Sequence, residues 1–265
     1  MQAFQFQQPR TVADAVKALG AGGSDVKYLA GGQSLLPSMR LGLASPDLLI
    51  DLERVDALKG ITRDGDRVTI GAMARHAEIA ASADVKALIP ALAHMAEMIG
   101  DRQVRNRGTM GGSIANNDPA ACYPAAVLAL DASLKTSKRT IEAKDFFKGL
   151  YETALEADEL LVSITFTKPE KSAYQKFRQQ ASHFALVGVF VAKTAAGVRV
   201  AVTGAGPVVF RMKALEEALD RSWAPASCDG ITMSADGLNS DLHASAEYRA
   251  HLIPVLTKRA VGEAT

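Results

Sequence analysis

Two segments pair adjacent glycines with small hydroxyl residues. One is Ala30-Gly31-Gly32-Gln33-Ser34-Leu35-Leu36-Pro37, and the other is Thr109-Met110-Gly111-Gly112-Ser113-Ile114-Ala115-Asn116-Asn117-Asp118-Pro119. Adjacent glycines allow left-handed or extended backbone angles that turn consecutive N–H groups into one concavity, which holds phosphate without a lysine. Ser34, Thr109 and Ser113 add hydroxyl donors and are too small to block approach. A single glycine pair is also the ordinary composition of a turn. Two pairs, each followed by small polar residues, point towards a nucleotide site. Neither segment fits Gly-x-Gly-x-x-Gly or Gly-x-x-x-x-Gly-Lys-Ser/Thr, so dinucleotide binding by a doubly wound sheet and phosphate-loop hydrolysis both lose support.

Other residues invite chemistry and admit plainer readings. Arg102, Arg105 and Arg107 surround Asp101, which suits either phosphate complementarity or a solvated, partner-facing surface. His243, Glu247 and His251 have helical spacing. The His-Glu-x-x-His zinc pattern is absent, and a polar outer helix face explains them better. Cys122 reads as a small buried hydrophobe on a helix, and Leu88, Leu92, Met95, Met98 and Ile99 read as core. No side chain is nominated as a general acid or base, and no metal ligand set is expected.

The elements that must position these residues follow from periodicity and punctuation. Thr11 to Leu19 is a helix capped by Thr11 and ended by Gly20. Tyr28 to Ala30 is a strand running into the first glycine pair, and Leu48 to Ile50 is another. Asp64-Gly65 sits in a hairpin. Helices are expected at Arg75 to Ala81, at Pro90 to Ile99 with Gly100 beyond its end, and from a cap at Asp118-Pro119 to about Leu130. Strands bracket Ser137-Lys138 and occupy Leu160 to Thr167. After the polar stretch Lys168-Pro169-Glu170-Lys171, three strands (Lys176 to Arg178, Leu186 to Lys193, Val198 to Val202) precede helices at Lys213 to Leu219 and Ser245 to Arg259. The order is α+β, without a regular βαβ repeat.

Composition limits the function classes. The chain has 265 residues, 48% hydrophobic and 22% charged, which is enough for a sizeable core. A net charge of +1 gives nucleic acid or an anionic membrane little hold. Two cysteines make a disulfide scaffold implausible and a four-cysteine cluster within the chain impossible. The start, Met1-Gln2-Ala3-Phe4-Gln5, lacks the character of a secretory signal, and no apolar run is long enough to cross a bilayer. A cytoplasmic setting is expected.

The two glycine segments are also familiar. Ala30 to Met39 resembles the first FAD loop of the flavoprotein subunits of molybdenum hydroxylases, the carbon monoxide dehydrogenase and xanthine dehydrogenase family. Gln103-Val104-Arg105-Asn106-Arg107-Gly108-Thr109 through Ala115, with Asp118-Pro119-Ala120-Ala121 and Tyr123-Pro124-Ala125-Ala126, resembles the second. The likeness continues through Phe177-Arg178, Phe184 to Val189 and Asp241 to Arg249, and so covers essentially the whole chain.

That resemblance implies an FAD-binding fold of the p-cresol-methylhydroxylase type. Residues 1–168 would bind FAD, in two α/β lobes of about 1–57 and 58–168, and 169–265 would form a C-terminal α+β domain with a small antiparallel sheet. It implies non-covalent FAD held by Ala30, Gly31, Gly32, Gln33, Ser34 and Leu35 at the diphosphate. Thr109, Gly111, Gly112 and Ser113 would reach the diphosphate and ribityl region. Asn116 and Asp118 would lie close by, Phe184 would cover the isoalloxazine and Lys176 would sit near the flavin. Relatives often carry aspartate at the position of Cys122 and tyrosine at that of Phe184. Molybdenum cofactor and [2Fe-2S] clusters would reside on a large and a small partner subunit, in a dimer of heterotrimers. Electrons would pass from the clusters through FAD to an external acceptor. A self-sufficient flavin oxidase or dehydrogenase of the same fold is the alternative, and a nucleotide-binding scaffold without redox work is the third. Valine at position 32 or 111 is expected to abolish cofactor retention with modest loss of folding.

Overall fold

Five short elements open the chain: β1 (Gln5–Gln7), α1 (Val12–Ala21), β2 (Val26–Leu29), α2 (Leu35–Arg40) and β3 (Leu48–Asp51). β3 lies between β1 and β2 and is parallel to both. These elements form a βαβαβ unit, the α/β lobe that the resemblance implies; periodicity alone places α1, β2 and β3 but neither β1 nor α2. Its first strand has no apolar face to betray it, since all three residues are exposed, whereas all four residues of β3 are buried. Thr11 caps α1 by accepting from the Asp14 N–H at 3.0 Å, but the helix runs through Gly20 to Ala21. The computed structural model describes residues 3–21 and 25–265; Met1 and Gln2, where the amino-terminal reading began, lie outside them.

The middle of the chain builds a five-stranded antiparallel sheet covered by helices. In chain order it contains β4 (Ile61–Asp64), β5 (Arg67–Gly71), α3 (His76–Ala81), α4 (Ala83–Leu88), α5 (Pro90–Glu97), α6 (Arg102–Arg107), α7 (Met110–Asn116) and α8 (Tyr123–Ala129). It continues with β6 (Ser133–Thr136), β7 (Thr140–Glu142), α9 (Ala143–Phe146), the ribbon β8 (Phe147–Gly149) and β9 (Glu152–Thr153), and β10 (Leu161–Thr167). The sheet order is β4-β5-β10-β6-β7. The hairpin turn falls on Gly65-Asp66, one residue later than expected, because Asp64 pairs with Arg67. α8 starts at Tyr123 and not at Asp118. The Asp118 carboxylate is spent on a local turn, accepting from the Ala120 N–H at 2.8 Å. All seven residues of α8 are buried, as are Leu88, Leu92 and Met95, so the Met–Leu stripe is core.

The C-terminal part contains β11 (Lys171–Arg178), β12 (Ala185–Thr194), β13 (Gly197–Thr203), β14 (Phe210–Arg211), α10 (Lys213–Arg221) and α11 (Ala246–Glu263). Its four strands are antiparallel in chain order. β12 reads as a nearly continuous apolar run because both faces of the sheet are covered. Val187, Val189 and Val191 enter a core beneath α10 and α11, while Phe190 and Ala192 enter the core shared with α5 and α8. Each fully buried side chain of this kind contributes about 1.5–3 kcal/mol. His243 precedes α11, so the helical array His243, Glu247, His251 does not form, and no metal-binding cluster occurs among the described residues.

One charged group sits inside this layer. Glu216 of α10 receives Arg211 Nε and Nη2, both at 2.6 Å, and the Val200 N–H at 3.0 Å. Burial alone would raise its pKa, but the Arg211 fork, the Val200 N–H and Lys213 outweigh burial and hold it below the ordinary carboxylate value. A depressed carboxylate stabilises the fold above its unfolded pKa and loses that contribution as pH falls through the folded value. Glu216→Gln is expected to cost about 2 kcal/mol at neutral pH, read by urea denaturation, with the difference from wild type shrinking in acid.

Candidate functional site

The first glycine segment leaves β2 and enters α2. Gly32 has φ of +72°, a left-handed conformation that L side chains rarely adopt. None of the backbone N–H groups of Gly31, Gly32, Gln33, Ser34 and Leu35 donates to an acceptor among the described residues. Five successive free donors at a strand-to-helix turn form the concavity expected from the sequence, and they suit a phosphate.

The second segment is built differently. Gly111-Gly112 lies in the first turn of α7 and not in a loop. Its donors are occupied: Gly111 N–H donates to the Ala72 carbonyl at 2.8 Å, Gly112 N–H to Thr109 Oγ1 at 3.2 Å, and Met110 N–H to the Ala74 carbonyl at 3.0 Å. Thr109 is a helix cap here. Glycine is needed for contact: a Cβ on Gly111 would stand 2.5 Å from Ala72 Cβ and 2.7 Å from its carbonyl oxygen. These contacts count against the expectation that valine at 111 would cost folding only modestly.

Tertiary structure brings the two segments into one seam. A Cβ on Gly31 would lie 2.2 Å from the Arg107 carbonyl oxygen and 2.7 Å from Gly108 Cα, and one on Gly112 would lie 3.3 Å from Ala30 Cβ. Beside the seam opens a cleft of about 280 Å³ whose lining includes Ala30, Glu53, Lys59, Arg75, Arg107 and Thr109. Glu53 draws Arg75 and Arg107 together at 3.5 and 3.8 Å. The arginine run thus divides its work. Arg107 faces the cleft, while Arg105 donates to the carbonyls of Ile99 and Gly100, both at 3.0 Å, beyond the end of α5. Glu53 and Arg75 carry no motif, and only spatial proximity identifies them.

The remaining candidates are spread around this centre. Asn116 closes α7, and its neighbour Asn117, left-handed at φ +45°, donates to the carbonyls of Gly149 and Glu152, both at 2.8 Å. Asp118 Oδ2 accepts from the Tyr151 hydroxyl at 3.3 Å. Thr203 at the end of β13 donates to the carbonyls of Pro119 and Ala121, which pins the turn after Asp118. Lys176 of β11 donates to the Met98 carbonyl at 2.8 Å and to Cys122 Sγ at 3.4 Å. Phe184 is half exposed at the start of β12, and no hydrogen bond joins it or Lys176 to the glycine segments. Cys122 is buried as expected, though it precedes α8 and does not lie within it.

His76 stands behind the seam. Its backbone N–H donates to the Gly108 carbonyl at 3.0 Å, and its Nδ1 lies 3.2 Å from the Tyr123 hydroxyl. Burial, and after it the Arg105 charge, pushes its pKa down to about 4 from 6.5. The folded protein therefore keeps His76 neutral while the unfolded chain takes up a proton, so stability falls as pH drops from 6.5 towards 4. The full loss is about 3 kcal/mol. Thermal melts at neutral and acid pH are expected to show a smaller acid loss in His76→Gln than in wild type.

A cradle closed to Cβ atoms, with five free N–H donors on one wall, fits the diphosphate of a dinucleotide cofactor. A family model described as the FAD binding domain in molybdopterin dehydrogenase matches residues 2–169, and one described as the CO dehydrogenase flavoprotein C-terminal domain matches 172–264. The chain belongs to the molybdopterin dehydrogenase flavoprotein family. This flavoprotein is 36% identical to the carbon monoxide dehydrogenase medium chain of Hydrogenophaga pseudoflava, over 98% of this chain and 96% of that one. It is also 36% identical to the nicotine 6-hydroxylase medium subunit of Paenarthrobacter nicotinovorans, over 100% and 98%. In structure, the flavoprotein matches a chain of the Hydrogenophaga pseudoflava carbon monoxide dehydrogenase with a TM-score of 0.89, covering 98% of this chain and 96% of that one at 36% identity. It matches a chain of quinoline 2-oxidoreductase from Pseudomonas putida 86 with a TM-score of 0.88, covering 99% and 96% at 28% identity. The expected α+β fold, an FAD-binding domain with a C-terminal domain holding a small antiparallel sheet, is that of the flavoprotein. No helix among its described residues is long and apolar enough to cross a membrane.

Proposed function

We propose that this chain is the medium, FAD-carrying subunit of a molybdenum hydroxylase complex, through which electrons from iron–sulfur clusters on a small partner subunit reach an external acceptor. A large partner subunit would carry the molybdenum cofactor, in a dimer of heterotrimers. The observation that carries this reading is the seam where Gly31 abuts Arg107-Gly108 with five free donors beside it. Bound FAD supplies exchange between one- and two-electron transfer, and the protein supplies binding, orientation and electrostatics.

The residues of this chain take separate parts. Ala30, Gly31, Gly32, Gln33, Ser34 and Leu35 present N–H donors to the diphosphate. Thr109, Gly111, Gly112 and Ser113 hold the facing wall, with Asn116 and Asp118 at its far end. Lys176 and Phe184 approach from the C-terminal sheet. The FAD-binding unit is taken as residues 1–168, in lobes of about 1–57 and 58–168, and the C-terminal unit as 169–265. Two free, buried cysteines agree with a reducing cytoplasm.

Purification from the native host with partners retained tests the reading. Flavin absorbance together with iron–sulfur bands and stoichiometric molybdenum is the expected result. A protein that is fully active alone without metals would overturn the relay. Failure of the metal-free chain to bind added FAD would overturn the site.

A further inference from the structure

A cluster at the junction of α8 and the C-terminal sheet joins Lys176, placed above beside the flavin, to a thiol that the FAD reading does not use. Cys122 Sγ lies 3.4 Å from Lys176 Nζ, and the ammonium is held there by the Met98 carbonyl at 2.8 Å. Neither of these Lys176 partners is a carboxylate, so among the described residues the lysine is positioned without a charged counterpart. Against the same thiol stands the Tyr174 hydroxyl. It is sealed from solvent, with its residue 2% exposed, and among the described residues it makes no hydrogen bond of normal geometry. Burial, and after it the Cys122 side chain, pushes the Tyr174 pKa well above its ordinary value and keeps the phenol a donor. An orphaned buried donor is costly, and its cost is relieved by any new acceptor placed beside it.

We propose that Cys122 and Lys176 form a site of covalent modification, in which a peroxide oxidises the thiol and the lysine amine then closes an S–N bond to it. In the first step the sulfur gives two electrons to the peroxide. Cys122 becomes a sulfenic acid, the O–O bond breaks and one water leaves. The new sulfenic oxygen supplies the acceptor that the Tyr174 hydroxyl lacks. In the second step Lys176 releases one proton to solvent and its amine attacks the sulfur, expelling the sulfenic oxygen as a second water. For hydrogen peroxide the sum is thiol plus ammonium plus peroxide, giving sulfenamide, two waters and one proton. Sulfenic acids condense readily with a nitrogen already at contact distance, and this condensation protects the sulfur from irreversible oxidation. The bridge would tie the residue preceding α8 to β11, locking the middle of the chain to the C-terminal sheet. The other cysteine, Cys228, is also buried; Lys258 lies near it, but among the described residues no hydrogen bond joins the two.

The test treats the purified full chain with hydrogen peroxide and maps its peptides by mass spectrometry without reductant. The expected product is one cross-linked pair joining Cys122 to Lys176, lighter than the two free peptides by about 2 Da and released by a thiol reductant. Lys176→Arg keeps the positive charge and a donor for the Met98 carbonyl but cannot give this product, so its Cys122 should advance to sulfinic acid. Wild-type protein in which Cys122 stays a thiol, or goes to sulfinic acid with Lys176 unmodified, would overturn the proposal. So would a cross-linked mass that persists in Lys176→Arg.

Discussion

Gly31→Ala is expected to lower FAD affinity about 100-fold while leaving most of the fold in place, because the added methyl collides with backbone across the seam. The new Cβ would stand 2.2 Å from the Arg107 carbonyl oxygen and 2.8 Å from its carbon. Neither atom belongs to a flexible side chain that can swing aside, so the two segments must part. Parting moves the five free N–H donors away from the wall formed by Thr109 and Gly112. Fluorescence titration of the apoprotein with FAD measures the effect, and a parallel thermal melt separates it from unfolding. Gly32→Ala makes an informative comparison. Its strain comes from φ +72° and from a contact with side-chain atoms of Leu36, not with backbone, so a smaller loss of about tenfold is expected. Wild-type affinity in Gly31→Ala would show that the diphosphate does not bind at the seam.

Gly111→Ala should act on stability first and on flavin second. The methyl meets Ala72 Cβ at 2.5 Å and the Ala72 carbonyl at 2.7 Å, the same carbonyl that accepts the Gly111 N–H at 2.8 Å. Relieving the clash breaks that buried hydrogen bond and lifts α7 from the strand end that supports it. Overpacking and a lost buried bond together give about 4 kcal/mol of destabilisation. Urea denaturation monitored by circular dichroism reads it directly. A variant of unchanged stability that had lost FAD would return Gly111 to the role of a phosphate donor, as the glycine pattern first suggested.

The contrast between these two glycines shows where sequence reading runs out. Both pairs look alike as text, and both were expected to present free backbone donors. At Gly31-Gly32 the donors are free; at Gly111-Gly112 they are used in capping and packing. What differs is the partner across space, Arg107-Gly108 in one case and Ala72 in the other, and these lie at sequence distances that local patterning does not sense. β1 was missed for a related reason. A three-residue edge strand with every side chain exposed carries no alternation, and only its pairing with Leu48 to Ile50 makes it a strand. The start of α8 was misplaced because an aspartate before a proline caps a helix and closes a turn with the same carboxylate hydrogen bond.

Periodicity and punctuation by themselves determined the α+β class, the long apolar strands of the C-terminal sheet, the capped helix after Thr11 and the two glycine segments as the place to look. Those features depend on contacts within a few residues or on the burial of a whole face, and both leave a mark on residue order. The length of the matching motifs carried the family and its cofactor. Tertiary structure alone decided that the two segments share one seam, that Glu53 gathers Arg75 and Arg107 beside it, and that Lys176 and Tyr174 both come to Cys122. Each of these is a meeting of residues tens of positions apart. Such meetings are set by how sheets and helices pack, and no local preference of the residues involved encodes them.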